Sequence, residues 1–227
     1  GLRADAAYER IARRLVRREE PFDLLMVYCG AADALSHLFW RYKHPELYAS
    51  PPTEEELREF GHLVDDYYVQ VDASLGRLLD EMGEDVTVIV LSDHGMRAAN
   101  FSGSFPADGG TLDLRSAAHE EAPPGILIAA GPAVRPDPDR RSDEPEVIGS
   151  VLDITPTLLH LFGLPVGKDM DGRVLNELLA DPWGGEPPAL VGTHDTEEFR
   201  AARTGTRPDT PWGEERMEQL RGLGYIP

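Results

Sequence analysis

Residues 86–95 read VTVIVLSDHG, an apolar run that ends in polar residues and a glycine. Its first six residues are apolar or β-branched, and a run of this length favours a strand buried on both faces. An aspartate and a histidine follow the run at once, and Gly95 permits the chain to turn there. The short apolar run at 22–28 has the same character, and residues 125–132 are expected to be a third short strand with a turn after it. We therefore expect three strands, with polar residues or a turn after each.

Helical patterns alternate with these runs. Residues 4–18 are amphipathic, and residues 54–82 keep helical spacing after Thr53, a favourable N-cap. Another helix is expected over 153–162, with a proline in its first turn. The alternation predicts an α/β fold with a mostly parallel sheet flanked by helices. In such sheets, ligands bind beyond the carboxyl ends of the strands.

The remaining segments are polar and rich in Pro and Gly. We expect loops at 100–111 and 135–146, and a polar C-terminal tail over 182–227 with one short helix near 213–222.

The composition excludes several classes of protein. The net charge is −19, from 41 acidic against 22 basic residues, so we expect no nucleic-acid-binding module. No apolar run reaches the roughly 20 residues of a membrane span, and the first residues contain no visible signal peptide. The single cysteine, Cys29, excludes an internal disulfide and is expected to be a buried, inert thiol. Compartment and oligomeric state do not follow from the sequence.

Two pairs of residues could bind a metal ion. Asp93 and His94 come directly after the second strand, and Asp33 and His37 lie four residues apart beyond the first. If the segment around Asp33 is helical, this spacing places both side chains on one face. Carboxylate and imidazole ligands together suit zinc, manganese or iron. Taken alone, Asp93 and His94 are more often an aspartate that caps a helix beside a surface histidine. Asp33 and His37, taken alone, are more often a loop aspartate beside an interfacial histidine.

His119 is the fifth candidate, shortly before the third strand. Three strands would then deliver potential ligands to one edge of the sheet. Five ligands suffice for one three-ligand zinc site and part of a second. Sites with two ions roughly 4 Å apart are typical of phosphate-ester hydrolases.

Four segments together resemble a known family. They are Ala32–His37 (ADALSH), Ser92–Met96 (SDHGM), His119 ahead of Gly125–Pro132 (GILIAAGP), and Asp153–Leu159 (DITPTLL) followed by Met170–Arg173 (MDGR). Their order and spacing resemble the alkaline phosphatase superfamily and, more narrowly, the type I phosphodiesterase/nucleotide pyrophosphatase family. The resemblance extends from about residue 20 to about residue 178.

The resemblance implies a fold and a ligand set. It implies that Asp33, His37 and His119 bind one zinc ion and that Asp93 and His94 bind the other. It also implies an alkaline-phosphatase-like α/β fold whose N-terminal part is missing, with residues 1–181 as the C-terminal portion of the catalytic domain.

The family's nucleophile is not matched in this sequence. In the family, a further Asp and a Thr or Ser nucleophile lie well upstream of the first metal motif, whereas the 32 residues before Asp33 contain neither Thr nor Ser. We therefore expect the nucleophile upstream of this chain, and little or no turnover by the chain alone.

Two histidines are candidates for the third histidine ligand. The family's third histidine commonly adjoins glycine, but His119 stands between Ala118 and Glu120, so His194 competes for this role.

The function implied is metal-dependent hydrolysis of phosphodiester or phosphoanhydride bonds in small phosphate esters, with two divalent ions, zinc foremost. A sulfatase or a metal-dependent phosphomutase of the same superfamily is an alternative, and so is a non-catalytic metal-binding or interaction module. Phe39, Trp40 and Tyr42 could stack on a substrate or pack against the core.

Overall fold

The structure is a computed structural model that describes residues 1–18, 22–99, 115–136 and 146–197. The chain forms two compact units. The first comprises Gly1–Glu84 and Leu91–Ile126, and the second comprises Asp85–Val90 and Leu127–Pro227.

Helices dominate the first unit. They are α1 (Leu2–Val16), α2 (Ala31–Lys43), α3 (Glu54–Phe60) and α4 (Leu63–Met82), with a short 3-10 helix at Pro45–Leu47. Helix α4 packs against both α1 and α2, and α2 also contacts α3. A short antiparallel pair, β2 (Arg97–Ala98) and β3 (Ala117–Ala118), lies against α2 through β3. Helix α2 is therefore held on several sides.

The start of α2 is set by a carboxylate from α1. Asp5 accepts the backbone N–H of Gly30 at 3.3 Å and that of Ala31 at 2.8 Å. The hydroxyl of Tyr67, on α4, donates to the same carboxylate. Asp5 thus supplies the N-terminal cap that no residue next to α2 provides.

The single helix expected over 54–82 is wrong. Thr53 caps α3 with Glu56 in a reciprocal capping box, as its sequence indicates. The helix then ends at Phe60, and α4 begins at Leu63. A Cβ at Gly61 would lie 2.5 Å from the carbonyl oxygen of Leu57, so the break needs glycine. The apolar spacing continues across the break and does not reveal it.

The strand expected over 22–28 is also not formed. The segment pairs with no strand in the described chain, and its large side chains are exposed, Met26 by 79%. Cys29 is exposed as well, so the prediction of a buried thiol is wrong. An apolar run forms a strand only where its backbone groups pair with a neighbouring strand, which the run itself does not determine.

The second unit contains the remaining elements. They are β1 (Val88–Leu91) paired with β4 (Leu127–Ala130), α5 (Ile154–Leu161), and β5 (Val166–Gly167) paired in parallel with β6 (Leu190–Val191). Short 3-10 helices lie at Val151–Asp153, Asn176–Leu178 and Trp183–Gly185. Val166, Val174 and Leu179 form a buried core cluster.

Asp153 organises this unit. Its carboxylate accepts the backbone N–H of Ser150 and that of Arg173, each at 2.7 Å. The Thr157 hydroxyl donates to the Asp153 carbonyl at 2.6 Å and accepts the N–H of Leu175 at 3.0 Å. The DITPT and MDGR segments therefore fasten α5 to the chain that follows it.

The fold is mixed helix and small sheets, and the mostly parallel sheet is not borne out. The observed strands have two to four residues, and β2 and β3 are antiparallel. Strand β1 was expected to be buried on both faces, but three of its residues are only partly buried and Leu91 is 44% exposed. None of the helices in the described ranges is long and apolar enough to cross a membrane.

The segments expected as loops and tail are described in part. The loop at 100–111, most of that at 135–146 and the short helix near 213–222 lie outside the described residues. The boundary between 181 and 182 stays a prediction. Beyond that boundary, Leu190–Val191 is a strand rather than tail.

Candidate metal site

Helix α2 places the first ligand pair. The segment that the sequence left open between loop and helix is helical, so Asp33 and His37 share one face. The Asp33 Oδ1 lies 3.4 Å from the His37 Nε2, and the His37 side chain is 1% exposed. The Asp33 carboxylate therefore faces a buried imidazole.

The His37 ring is oriented by the chain opposite. Its Nδ1 lies 2.8 Å from the carbonyl oxygen of Ala117 in β3. A carbonyl can only accept, so Nδ1 carries the hydrogen, and in the neutral ring Nε2 keeps its lone pair. The Nε2 is buried and makes no hydrogen bond of good geometry. Burial alone would lower the pKa of His37, but Asp33 and the Ala117 carbonyl together raise it above 6.5.

His94 is placed by the turn that follows β1. The backbone N–H of Gly95 donates to the Pro123 carbonyl at 2.8 Å, and a Cβ at Gly95 would lie 2.7 Å from that oxygen. Glycine is needed at position 95, as expected, because the backbone of Pro123 comes too close for a side chain. The His94 Nδ1 faces the Gly95 carbonyl at 2.8 Å, so it also carries its hydrogen on Nδ1.

The His94 Nε2 lies between two carboxylates. It is 3.9 Å from the Asp33 Oδ1 and 3.7 Å from the Asp93 Oδ1. The Asp33 side chain is largely covered, whereas that of Asp93 is 70% exposed. The structure thus brings together the two motifs that are 60 positions apart in the sequence.

His119 follows β3 and completes the group. Its ring centroid lies 4.7 Å from that of His94 and 5.4 Å from that of His37. His119 begins a turn in which the backbone N–H of Ala122 donates to the His119 carbonyl at 3.1 Å. Glu121 adopts a positive φ of 57° in that turn. We call Asp33, His37, Asp93, His94 and His119 the His/Asp cluster.

The rival histidine is engaged elsewhere. His194 belongs to the second unit, and its Nε2 hydrogen-bonds the Pro165 carbonyl at 2.8 Å. That nitrogen supports the backbone between α5 and β5. Within the first unit, His119 is the histidine whose ring lies beside those of both His37 and His94.

The cluster has the donor types of a zinc site without a closed ligand shell. No group of three or more His, Cys, Asp or Glu side chains is arranged to hold an ion among the residues that the structure describes. Two ligands of a tetrahedral zinc ion lie about 3.3 Å apart. The 3.4 Å between His37 Nε2 and Asp33 Oδ1 matches that separation, and the 3.9 Å from His94 is slightly longer. The cluster therefore fits zinc in donor type, and the Asp33–His37 pair also fits the spacing of two adjacent ligands.

The aromatic residues after the first motif pack between helices. Phe39, Tyr42 and Phe60 have ring centroids 5.1–6.0 Å apart, which joins α2 to α3. The Trp40 ring lies 4.7 Å from that of His44. Phe39 and Tyr42 thus pack against Phe60 between α2 and α3, as the second of the two sequence interpretations predicts.

Comparison with known proteins gives one family. A sequence model of the family described as type I phosphodiesterase / nucleotide pyrophosphatase matches residues 2–146, more than half of the chain. No curated protein and no solved structure matches. The matched range contains every residue of the His/Asp cluster.

Proposed function

Because the chain belongs to the type I phosphodiesterase/nucleotide pyrophosphatase family, we propose that it carries the metal-binding residues of a hydrolase acting on phosphodiester or phosphoanhydride bonds. The proposed ligands are Asp33, His37, Asp93, His94 and His119. The proposed cofactors are two divalent ions, with zinc as the best match to the donor types.

One observation carries this proposal. His37 and His94 each give their Nδ1 hydrogen to a backbone carbonyl at 2.8 Å and turn Nε2 toward Asp33. Histidines that bind metals commonly use one ring nitrogen in this way, and the hydrogen bond fixes the tautomer and the ring orientation. The arrangement of two such histidines around one carboxylate supports the proposed metal site.

Each side chain has a role in that site. Asp33 and Asp93 would offset part of the charge of the cations, and the neutral imidazoles would leave net positive charge for an anionic phosphate. When bound, two such ions supply Lewis acidity at phosphate oxygens and activate an oxygen nucleophile. The proposal assigns the nucleophile to no residue of this chain, and we expect low turnover from the chain alone.

The proposal is tested with three chromogenic esters of p-nitrophenol: the thymidine 5′-monophosphate diester, the phosphate monoester and the sulfate ester. We expect slow hydrolysis of the diester alone, dependent on zinc and abolished by Asp93→Ala. Because turnover is expected to be low, zinc-dependent binding of thymidine 5′-monophosphate is measured by calorimetry in parallel.

The control is His62→Ala. His62 precedes α4 with an exposed ring that pairs with Asp66, outside the His/Asp cluster. This variant should bind the nucleotide as the unmodified chain does. Hydrolysis of the sulfate ester in preference to the diester, or nucleotide binding that ignores zinc, would contradict the proposal.

A further inference from the structure

Ser116 makes an unusual set of bonds to α2. Its backbone N–H donates to the His37 carbonyl at 2.6 Å, and its Oγ accepts the backbone N–H of Arg41 at 3.2 Å. The carbonyl of residue 37 and the N–H of residue 41 are the two groups that an α-helix pairs with each other. Ser116 thus bonds to both members of the helical pair that starts at His37.

The hydroxyl adds to this attachment. The Ser116 Oγ lies 3.3 Å from the His37 carbonyl oxygen and 3.2 Å from that of Leu38, and it donates toward them. Ser116 is 4% exposed, so water does not compete for these groups. Buried bonds of this kind fix geometry more firmly than exposed ones.

The Ser116 carbonyl is held in turn. It accepts the hydroxyl of Tyr48 and the backbone N–H of Ala99, the latter at 3.0 Å. Tyr48 follows the short 3-10 helix after α2, and Ala99 follows β2. The N–H, the carbonyl and the hydroxyl of Ser116 therefore all make hydrogen bonds, with partners from α2, Tyr48 and Ala99.

Ala117, the residue after Ser116, accepts a hydrogen bond from the His37 ring. The peptide unit between Ser116 and Ala117 contains the Ser116 carbonyl, and the carbonyl of Ala117 accepts the His37 Nδ1–H at 2.8 Å. Ser116 therefore fixes the backbone of His37 while its neighbour fixes the ring. A shift of this segment would change both at once.

We propose that Ser116 and Tyr48 are positioning residues for His37: they hold the segment whose carbonyl keeps the imidazole in its Nδ1–H form with Nε2 directed at Asp33. The inference deepens the proposed function, on which its zinc-binding consequence rests. Its tautomer consequence does not depend on zinc.

The test is the double variant Ser116→Ala, Tyr48→Phe, which removes both hydroxyls and leaves every backbone group in place. In the metal-free chain, long-range ¹⁵N–¹H correlation of the His37 ring should show the Nδ1–H tautomer in the unmodified protein. In the double variant we expect a mixture of the two tautomers. We also expect the zinc dissociation constant, from chelator competition, to rise about 10-fold or more.

The matched control is Thr157→Val. Thr157 is a buried hydroxyl in the second unit that likewise donates to a carbonyl and accepts a backbone N–H. It should lower stability without changing the His37 tautomer or the zinc dissociation constant. Ser116→Thr keeps the hydroxyl and should retain the Nδ1–H tautomer.

Each outcome decides the proposal. A double variant with an unchanged His37 tautomer and unchanged zinc affinity overturns it, as does an equal change in Thr157→Val. If the double variant does not fold, Tyr48→Phe alone is measured in the same way and must shift the tautomer. If the unmodified chain binds no zinc, the proposed function fails, and the tautomer measurement still decides the role of Ser116 and Tyr48.

Discussion

At the scale of single residues, the His/Asp cluster combines groups of different burial. His37 is enclosed and Asp33 largely so, whereas Asp93 extends into solvent. Enclosed groups keep their orientation without a ligand, while an exposed carboxylate gains its orientation on binding one. We therefore expect Asp33 and His37 to dominate affinity for the first ion.

His119 and His194 can be distinguished directly by zinc affinity. His119→Ala removes an imidazole that lies within 5.4 Å of both other histidine rings. We expect the zinc dissociation constant to rise by at least the roughly 10-fold that is typical for loss of a group that only supports a metal ligand. His194→Ala removes a hydrogen bond to the Pro165 carbonyl and should change it less than about 2-fold. The opposite ranking in calorimetric titrations would transfer the role to His194.

At the scale of elements, the attachment of α2 depends on a side chain from another helix. Asp5→Ala removes the acceptor for two N–H groups at the start of α2 and leaves the buried Tyr67 hydroxyl without its acceptor. We expect a loss of about 1–3 kcal/mol in the free energy of unfolding. Urea denaturation measures it, with the exposed α4 residue Asp72→Ala as the control. Equal loss in both variants would contradict a capping role for Asp5.

Ion pairs fasten α1 to α4 and make this contact dependent on pH. Glu81 accepts hydrogen bonds from Arg13 at 2.7 Å and from Arg17 at 2.6 and 3.0 Å, and these lower the pKa of its carboxyl from 4.5. A carboxyl whose pKa is lower in the folded state stabilises that state above its ordinary pKa. The contribution disappears as the pH falls through the lowered value.

Glu81→Gln should therefore lower the urea midpoint at pH 7 and have progressively less effect as the pH falls below 4.5. The exposed α3 residue Glu59→Gln serves as the comparison and should show no such convergence with the unmodified chain. A difference for Glu81→Gln that is the same at pH 7 and pH 3 would show that the ion pairs do not act in this way.

The elements also show how far the sequence predicts the structure. Capping at Thr53 and the helix after Asp153 were predictable, since both depend on side chains close in sequence. The cap from Asp5 was not, because it lies 25 residues before Gly30 and only tertiary packing brings it there. Local spacing likewise does not show whether residues 22–28 pair with another strand, and in the structure they form none.

At the scale of the whole molecule, the family match covers the first unit and part of the second. The grouping of Asp33, His37, Asp93, His94 and His119 was predicted because each lies next to a recognisable motif. The attachment at Ser116 was not, because it consists of bonds to backbone groups of α2, and a lone serine has no signature in the sequence. Support around a site is thus less predictable than the site itself.

We propose that His37, His94 and His119 face a common metal site. X-ray absorption at the zinc edge, on the chain loaded with zinc and dialysed, measures the ligands directly. We predict an oxygen and nitrogen shell with the outer-shell scattering of two or more imidazoles, reduced in His37→Ala and in His94→Ala and unchanged in His194→Ala. Zinc bound without imidazole scattering, or with the same scattering in all three variants, would contradict a metal site shared by these histidines.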